Sequence, residues 1–126
     1  TAAYAAGTVA GTNLPLIVLG DFNSSPNPFD PRPAYATMAG SGYLDLWTVR
    51  QGPPDPGYTC CQDETLLNAD SELDQRIDHV FTRLPDEATL LPIQSEVVGD
   101  EQNERSASGL WPSDHAGVTT TLKFRR

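Results

Sequence analysis

"PLIVLGDFNSSP", residues 15–26, is the stretch on which the fold turns. Leu16, Ile17, Val18 and Leu19 form an apolar run without alternation, which predicts a strand covered on both faces. Gly20 ends the run, and Asp21 and Asn23 follow two residues apart. Residues two apart on an extended chain point the same way, so this pair should share a face just past the strand. Gly20 is expected to let another backbone or a ligand approach closely. A carboxylate at such a place can orient or deprotonate a water, or bind a metal, while Asn23 has an amide to donate. The same residues also suit a solvated Asx-turn that does no more than close the strand.

Working outward, "SSPNPFDPRP" packs four prolines into residues 24–33 and can only be loop. Pro33 suits the first position of a short helix, with Tyr35, Met38 and Ala39 at helical spacing and Gly40 or Gly42 ending it. Upstream, the Ala-rich residues 1–11 predict a weak helix ending near Gly11. Downstream, "GYLDLW" leads into a second Pro/Gly loop, "QGPPDPG", and then the chain reads as strands. "RIDHVFT" alternates, with Ile77, His79 and Phe81 on one face and Asp78, Val80 and Thr82 on the other. "TLLPIQSEVV" is a strand interrupted at Pro92, by an edge or a bulge. Residues 116–124 alternate as well, Val118, Leu122 and Phe124 against Thr119, Thr121 and Lys123. Residues 17–19, 77–81 and 118–124 are expected in one sheet, with one or two helices on its outer side. The class is α/β, strand-rich, with long loops.

Bulk composition bounds the function. At 126 residues the chain is one domain's worth with a modest core, and 38% hydrophobic with 20% charged content is that of a globular protein. No apolar run approaches the roughly 20 residues needed to span a bilayer. "TAAYAAGTVAG" has no basic region and no long apolar run, so it does not read as a signal peptide, and excision from a longer chain is expected. Seventeen acidic residues against eight basic give a net charge of −9, which disfavours unaided grip on a nucleic-acid backbone. It suits a small anionic substrate held through divalent cations, or simply solubility. Cys60 and Cys61 are adjacent, which argues against structural zinc and leaves a strained disulfide or two free thiols open.

Two further polar clusters stand at strand ends. Asp78 is an acid among apolar strand residues and needs a partner, either a histidine or cation it serves or Arg76 on its own face. His79 falls among Ile77 and Phe81 and reads as a packing histidine. In "PSDHAG", His115 is the acid–base or charge-stabilising candidate, while Asp114 either ligates a metal or braces the loop. Trp111, just before, reads as core or lid, with stacking on a base or sugar the alternative.

"GDFN", then "RIDHVF", then "SDH" entering the last strand resembles, in wording and order, the endonuclease/exonuclease/phosphatase superfamily. The stretch "YTCCQDETLLNADSELDQRIDHVF" is particularly similar to bacterial members. The resemblance covers about residues 14–124 and implies the roles that follow. Asp21 orients or activates the attacking water and is a candidate metal ligand, and Asn23 contacts the scissile phosphate. His115 stabilises the phosphoryl group, Asp78 orients His115, and Asp114 positions the site or touches a second metal. The cofactor implied is Mg²⁺ or Mn²⁺, its main Glu ligand lying in a first half that residues 1–13 do not supply. The chain is thus expected to be one partial domain, residues 1–126, the C-terminal half of a two-sheet sandwich with outer helices. As a full-length protein it would be a phosphodiesterase or phosphatase, and alone an inert fragment or interaction module. The substrate is a phosphate ester, with nucleic acid, phospholipid head group and small phosphodiester all open. An exposed sheet face should be covered by the missing half or a second copy, and an extracytoplasmic bacterial setting is implied by resemblance only.

Overall fold

The computed structural model describes residues 15–125, so the helix expected over residues 1–11 lies outside the described residues. The apolar run forms β1, Leu16–Asp21. The Pro-rich loop leads to one α-helix, α1, Ala34–Gly40, with Pro33 as its N-cap and Met38 buried beneath it. Ala39, expected on the buried side, is exposed. β2 is the two-residue strand Leu44–Asp45, and β3 is Asp78–Arg83. These three strands form an antiparallel sheet in the order β1-β3-β2.

The two faces of this sheet differ sharply. On one, Leu16, Val18 and Phe22 pack with Phe81, Met38, Tyr43 and Tyr35 into the core beneath α1. On the other, Ile17 is 51%, Leu19 69% and Leu44 38% exposed. β1 is therefore covered on one face only among the described residues, not on both. Thr82 also lies on the open side but is fully buried, its hydroxyl donating to the Leu16 carbonyl at 3.0 Å.

The third expected strand joins a different sheet. β4, Thr89–Leu90, and β5, Gln94–Val98, pair antiparallel with β7, Phe124–Arg125, and β6, Gly117–Thr121. Leu90 faces Phe124 and Gln94 faces Thr121, so three residues of one strand oppose two of the other around Pro92. Pro92 marks a bulge, as its missing N–H requires. Residues 118–124 thus end in an interrupted ribbon rather than in the β1–β3 sheet. The reason is the intervening Thr59–Cys60 segment, which pairs with Gln75 on one side and His115 on the other. β6 still lies against β3. Trp111 is core, 2% exposed, its indole N–H donating to the Asn68 carbonyl at 2.9 Å.

Candidate active site

β1 and β3 run in a register that sets Asp21 directly opposite Asp78 at the end of the sheet. Directly paired residues share a face, here the open face that also carries Ile17 and Leu19. Two carboxylates opposed in this way repel one another, and a positive group between them relieves the cost. His115, when protonated, is that group. Its Nδ1 lies 2.8 Å from Asp78 Oδ2, with side chains 28% and 20% exposed. An ionised carboxylate only accepts, so Nδ1 carries the proton and donates. Nε2 takes no protein partner among the described residues. Burial works against the charged ring, but the hydrogen bond and charge of Asp78, with Asp114 and Asp21 behind it, hold the His115 pKa above its ordinary value.

Thr59, fully buried, is the residue that brings this pair together. Its hydroxyl accepts the backbone N–H groups of Ile77 at 3.2 Å and Asp78 at 3.1 Å. Its carbonyl accepts the N–H of Ala116 at 2.8 Å, the residue after the histidine. One side chain and one peptide thus fix Asp78 and His115 relative to each other. Nothing in "GYTCC" marks the threonine for this task. Beside it, Cys60 and Cys61 are joined in a disulfide across a cis peptide, one of the two states that the sequence leaves open.

Asp21 and Asn23 are arranged differently from the extended pair expected. Asn23 has φ 48°, in the left-handed region that asparagine tolerates, and curls back onto Asp21. Its backbone N–H donates to Asp21 Oδ1 at 2.7 Å and its amide to Oδ2 at 3.3 Å. The Asx-turn is therefore present, and it aims the exposed Asp21 carboxylate while leaving part of the Asn23 amide free. Gly20, with φ 141°, has open space where a Cβ would stand, so backbone conformation rather than close approach calls for glycine there.

Ligand-type atoms of Asp21, Asp78 and His115 lie within 4.8 Å of one another, the imidazole already bonded to Asp78. Two carboxylates at an open sheet end suit a hard divalent cation, which binds through one or two carboxylates and fills its remaining positions with water or phosphate oxygens. Asp114 is exposed and stands outside that trio, its carboxylate accepting the Ser113 hydroxyl at 3.1 Å and its carbonyl the Gln62 N–H at 2.8 Å.

His79 occupies the closed face. It is 2% exposed, among the rings of Phe22, Tyr35 and Phe81. Arg76 does not pair with Asp78; its Nη1 reaches Asp45 at 2.8 Å and His79 Nδ1 at 3.0 Å. Asp45, 4% exposed, also accepts the Tyr35 hydroxyl at 2.9 Å and the Trp47 N–H at 3.0 Å. Burial, then the charge of Asp45, pushes the Tyr35 pKa up to about 12. Asp45 went unread although "YLDLW" carries the same signal as Asp78, an acid between apolar neighbours.

The sequence matches the Endonuclease/Exonuclease/phosphatase family over residues 2–115. Among solved structures, a family protein from Leptotrichia buccalis superposes with a TM-score of 0.56 at 21% identity, covering 90% of this chain and 38% of that one. A mannosyl-6-phosphatase of Bacteroides thetaiotaomicron gives 0.56 at 21% identity, covering 90% and 39%. A further family protein from the same species gives 0.55 at 20% identity, covering 91% and 39%. At these identities the likeness is one of fold. The chain spans under two fifths of the length of these relatives. No curated protein matches it.

Proposed function

Because the chain belongs to the endonuclease/exonuclease/phosphatase family, whose members are generally metal-dependent phosphoesterases, we propose that Asp21, Asp78 and His115 are the hydrolytic groups of such an enzyme. The observation that carries this reading is the Asp21–Asp78 pairing at the sheet end with His115 bonded to it at 2.8 Å. Asp21 orients a water and accepts its proton as the water oxygen bonds to phosphorus. The phosphorus–oxygen bond to the leaving group breaks, and His115 Nε2–H stabilises the phosphoryl oxygens or gives the leaving oxygen its proton. Asp78 keeps the imidazole oriented and charged, and the free Asn23 amide N–H donates to the phosphate. The chemistry that Mg²⁺ or Mn²⁺ supplies when bound is neutralisation of charge developing on the phosphoryl group. Asp21 is the ligand this chain offers, with Asp114 a second candidate and a Glu from outside the chain the main one.

The chain is read as the C-terminal half of the domain. Its span against its structural relatives supports this, as do Ile17 and Leu19, exposed on the face that carries Asp21 and Asp78. Exposed apolar patches of this kind mark interfaces. Whatever covers them, the other half or a second copy, borders the site, so one partner can both bury the face and complete the metal ligands. The substrate is a phosphate ester. The test is phosphate-ester hydrolysis under Mg²⁺ titration, on the 126-residue chain beside a protein extended N-terminally. The extended protein should turn over and lose activity to chelator, with the chain alone near background. An inert extended protein would refute the enzyme, and full turnover by the short chain would refute the half-site.

A further inference from the structure

A groove of about 890 Å³ opens between the Pro-rich loop after β1 and the loop after β2, with Gln75 in its wall. Its cations bond to protein groups, two of the three to an acid. Arg32 makes two bonds to Asp30, at 2.8 and 3.0 Å, and one to Gln75 at 3.1 Å. Arg50 lies over Trp47 at 4.2 Å and donates to the carbonyls of Trp47 and Pro53. Arg76 is buried against Asp45. Aromatic surface and carboxylate acceptors remain. Phe29 is 89% and Tyr58 43% exposed. Asp74 is exposed with no side-chain partner among the described residues, and Asp55 spends one oxygen on the Gly57 N–H at 2.7 Å.

Phe29 stands in water on a braced loop, not on a loose one. Its N–H donates to Asn27 Oδ1 at 3.0 Å, the Ser25 N–H to Asp30 at 2.7 Å, and the Ser24 hydroxyl to the Arg32 carbonyl at 2.6 Å. Holding an apolar ring in water is unfavourable unless a ligand covers it. Aromatic faces with carboxylate acceptors, and arginines whose donors are turned to protein groups, fit a neutral ring rich in hydroxyls: its C–H face stacks and its O–H groups donate. They do not fit a second phosphate or a polyanion.

The groove also has a defined relation to the trio. Cys60 pairs with Gln75 on one side and His115 on the other, which sets the Gln75 and His115 backbones two strand spacings apart, about 10 Å. A phosphate held at His115 and a sugar bearing it would have the length to span that gap. Resting on the phosphoesterase reading, we propose that the groove binds the hydroxyl-rich part of the substrate, so that the substrate class is a phosphorylated carbohydrate.

Binding of neutral sugars tests this without any chemistry. Maltose, mannobiose and cellobiose are titrated calorimetrically into the N-terminally extended protein and its Phe29→Ala and Asp74→Asn variants. At least one disaccharide should bind, and each substitution should weaken it on the order of tenfold. In hydrolysis of a sugar phosphate, Phe29→Ala should raise KM more than it lowers kcat. Sugar binding that depends on Phe29 would uphold the groove even if no phosphate ester were hydrolysed. Hydrolysis without such binding, or binding indifferent to both substitutions, would overturn it, as would tighter binding of an oligonucleotide that Phe29→Ala weakens.

Discussion

His79 and His115 lie on opposite sides of β3, each with a charged side chain within 3.0 Å. At His79 the neighbour is Arg76, which can only donate, so Nδ1 must present a lone pair while Nε2–H donates to the Ser24 carbonyl at 2.8 Å. Burial and the Arg76 charge hold its pKa below the ordinary value, outweighing Ser24 and the nearby acids. At His115 the neighbour is an acid, the ring is partly open, and the charged form is favoured. One histidine is biased toward the neutral form inside an aromatic cluster, and the other toward the cationic form where a substrate can reach it. The same side chain serves packing on one face and chemistry on the other because the partner's charge and the access of water differ.

Substitution of the two histidines should break the comparison in opposite ways. In the N-terminally extended protein, His115→Ala should lower turnover about 10²- to 10⁴-fold with the melting temperature nearly unchanged. His79→Ala should instead lower the melting temperature, its activity following the folded fraction. Equal activity losses at matched folded fractions would erase the distinction. Next in size is Asp45→Ala, which leaves the buried Arg76 charge unpaired and should cost about 3–5 kcal/mol in denaturant unfolding. A loss under 1 kcal/mol would mean that the ion pair does not organise the closed face.

Thr59→Val sharpens the account of how the open site is held. It leaves the N–H groups of Ile77 and Asp78 without their acceptor and should cost about 1–3 kcal/mol. It should also reduce turnover at full folding by loosening Asp78 against His115; an unchanged kcat would remove Thr59 from the site. The smallest effect is on pH. Because the His115 pKa is raised in the folded chain, its pairing with Asp78 stabilises fully below the unfolded value of about 6.5 and is lost as pH rises through the raised one. His79 has the opposite sign: its lowered pKa makes acid destabilising below about 6.5. Asp78→Asn should therefore lose more stability than wild type on going from pH 7.5 to 5.5, as followed by urea unfolding.

Strand and loop boundaries were largely legible, because period-two alternation in "RIDHVFT" and the prolines of "SSPNPFDPRP" are local signals. Partner choice was not. Alternation in residues 116–124 says which side chains share a face, but pairing with β5 rather than the β1–β3 sheet depends on the distant Thr59–Cys60 segment. The three polar clusters that meet at the sheet end could be named from motif order. The turn of Asn23 onto Asp21 could not be separated from an extended pair, since both use the same two residues. Spacing on one strand offers Arg76 only as an alternative partner for Asp78, and its actual partner Asp45 lies on a neighbouring strand that spacing cannot reach. Thr59 carries no signal in a single sequence, because a buried threonine that packs looks the same as one that positions.

The most direct test of the central claim, that Asp78 makes His115 and not His79 the charged group of the site, is an NMR titration of both imidazoles in chelator-treated protein. His115 should titrate above the ordinary value of about 6.5 and fall in Asp78→Asn, while His79 titrates below it in both proteins. A His115 that titrates below His79, or that does not respond to Asp78→Asn, would contradict the account.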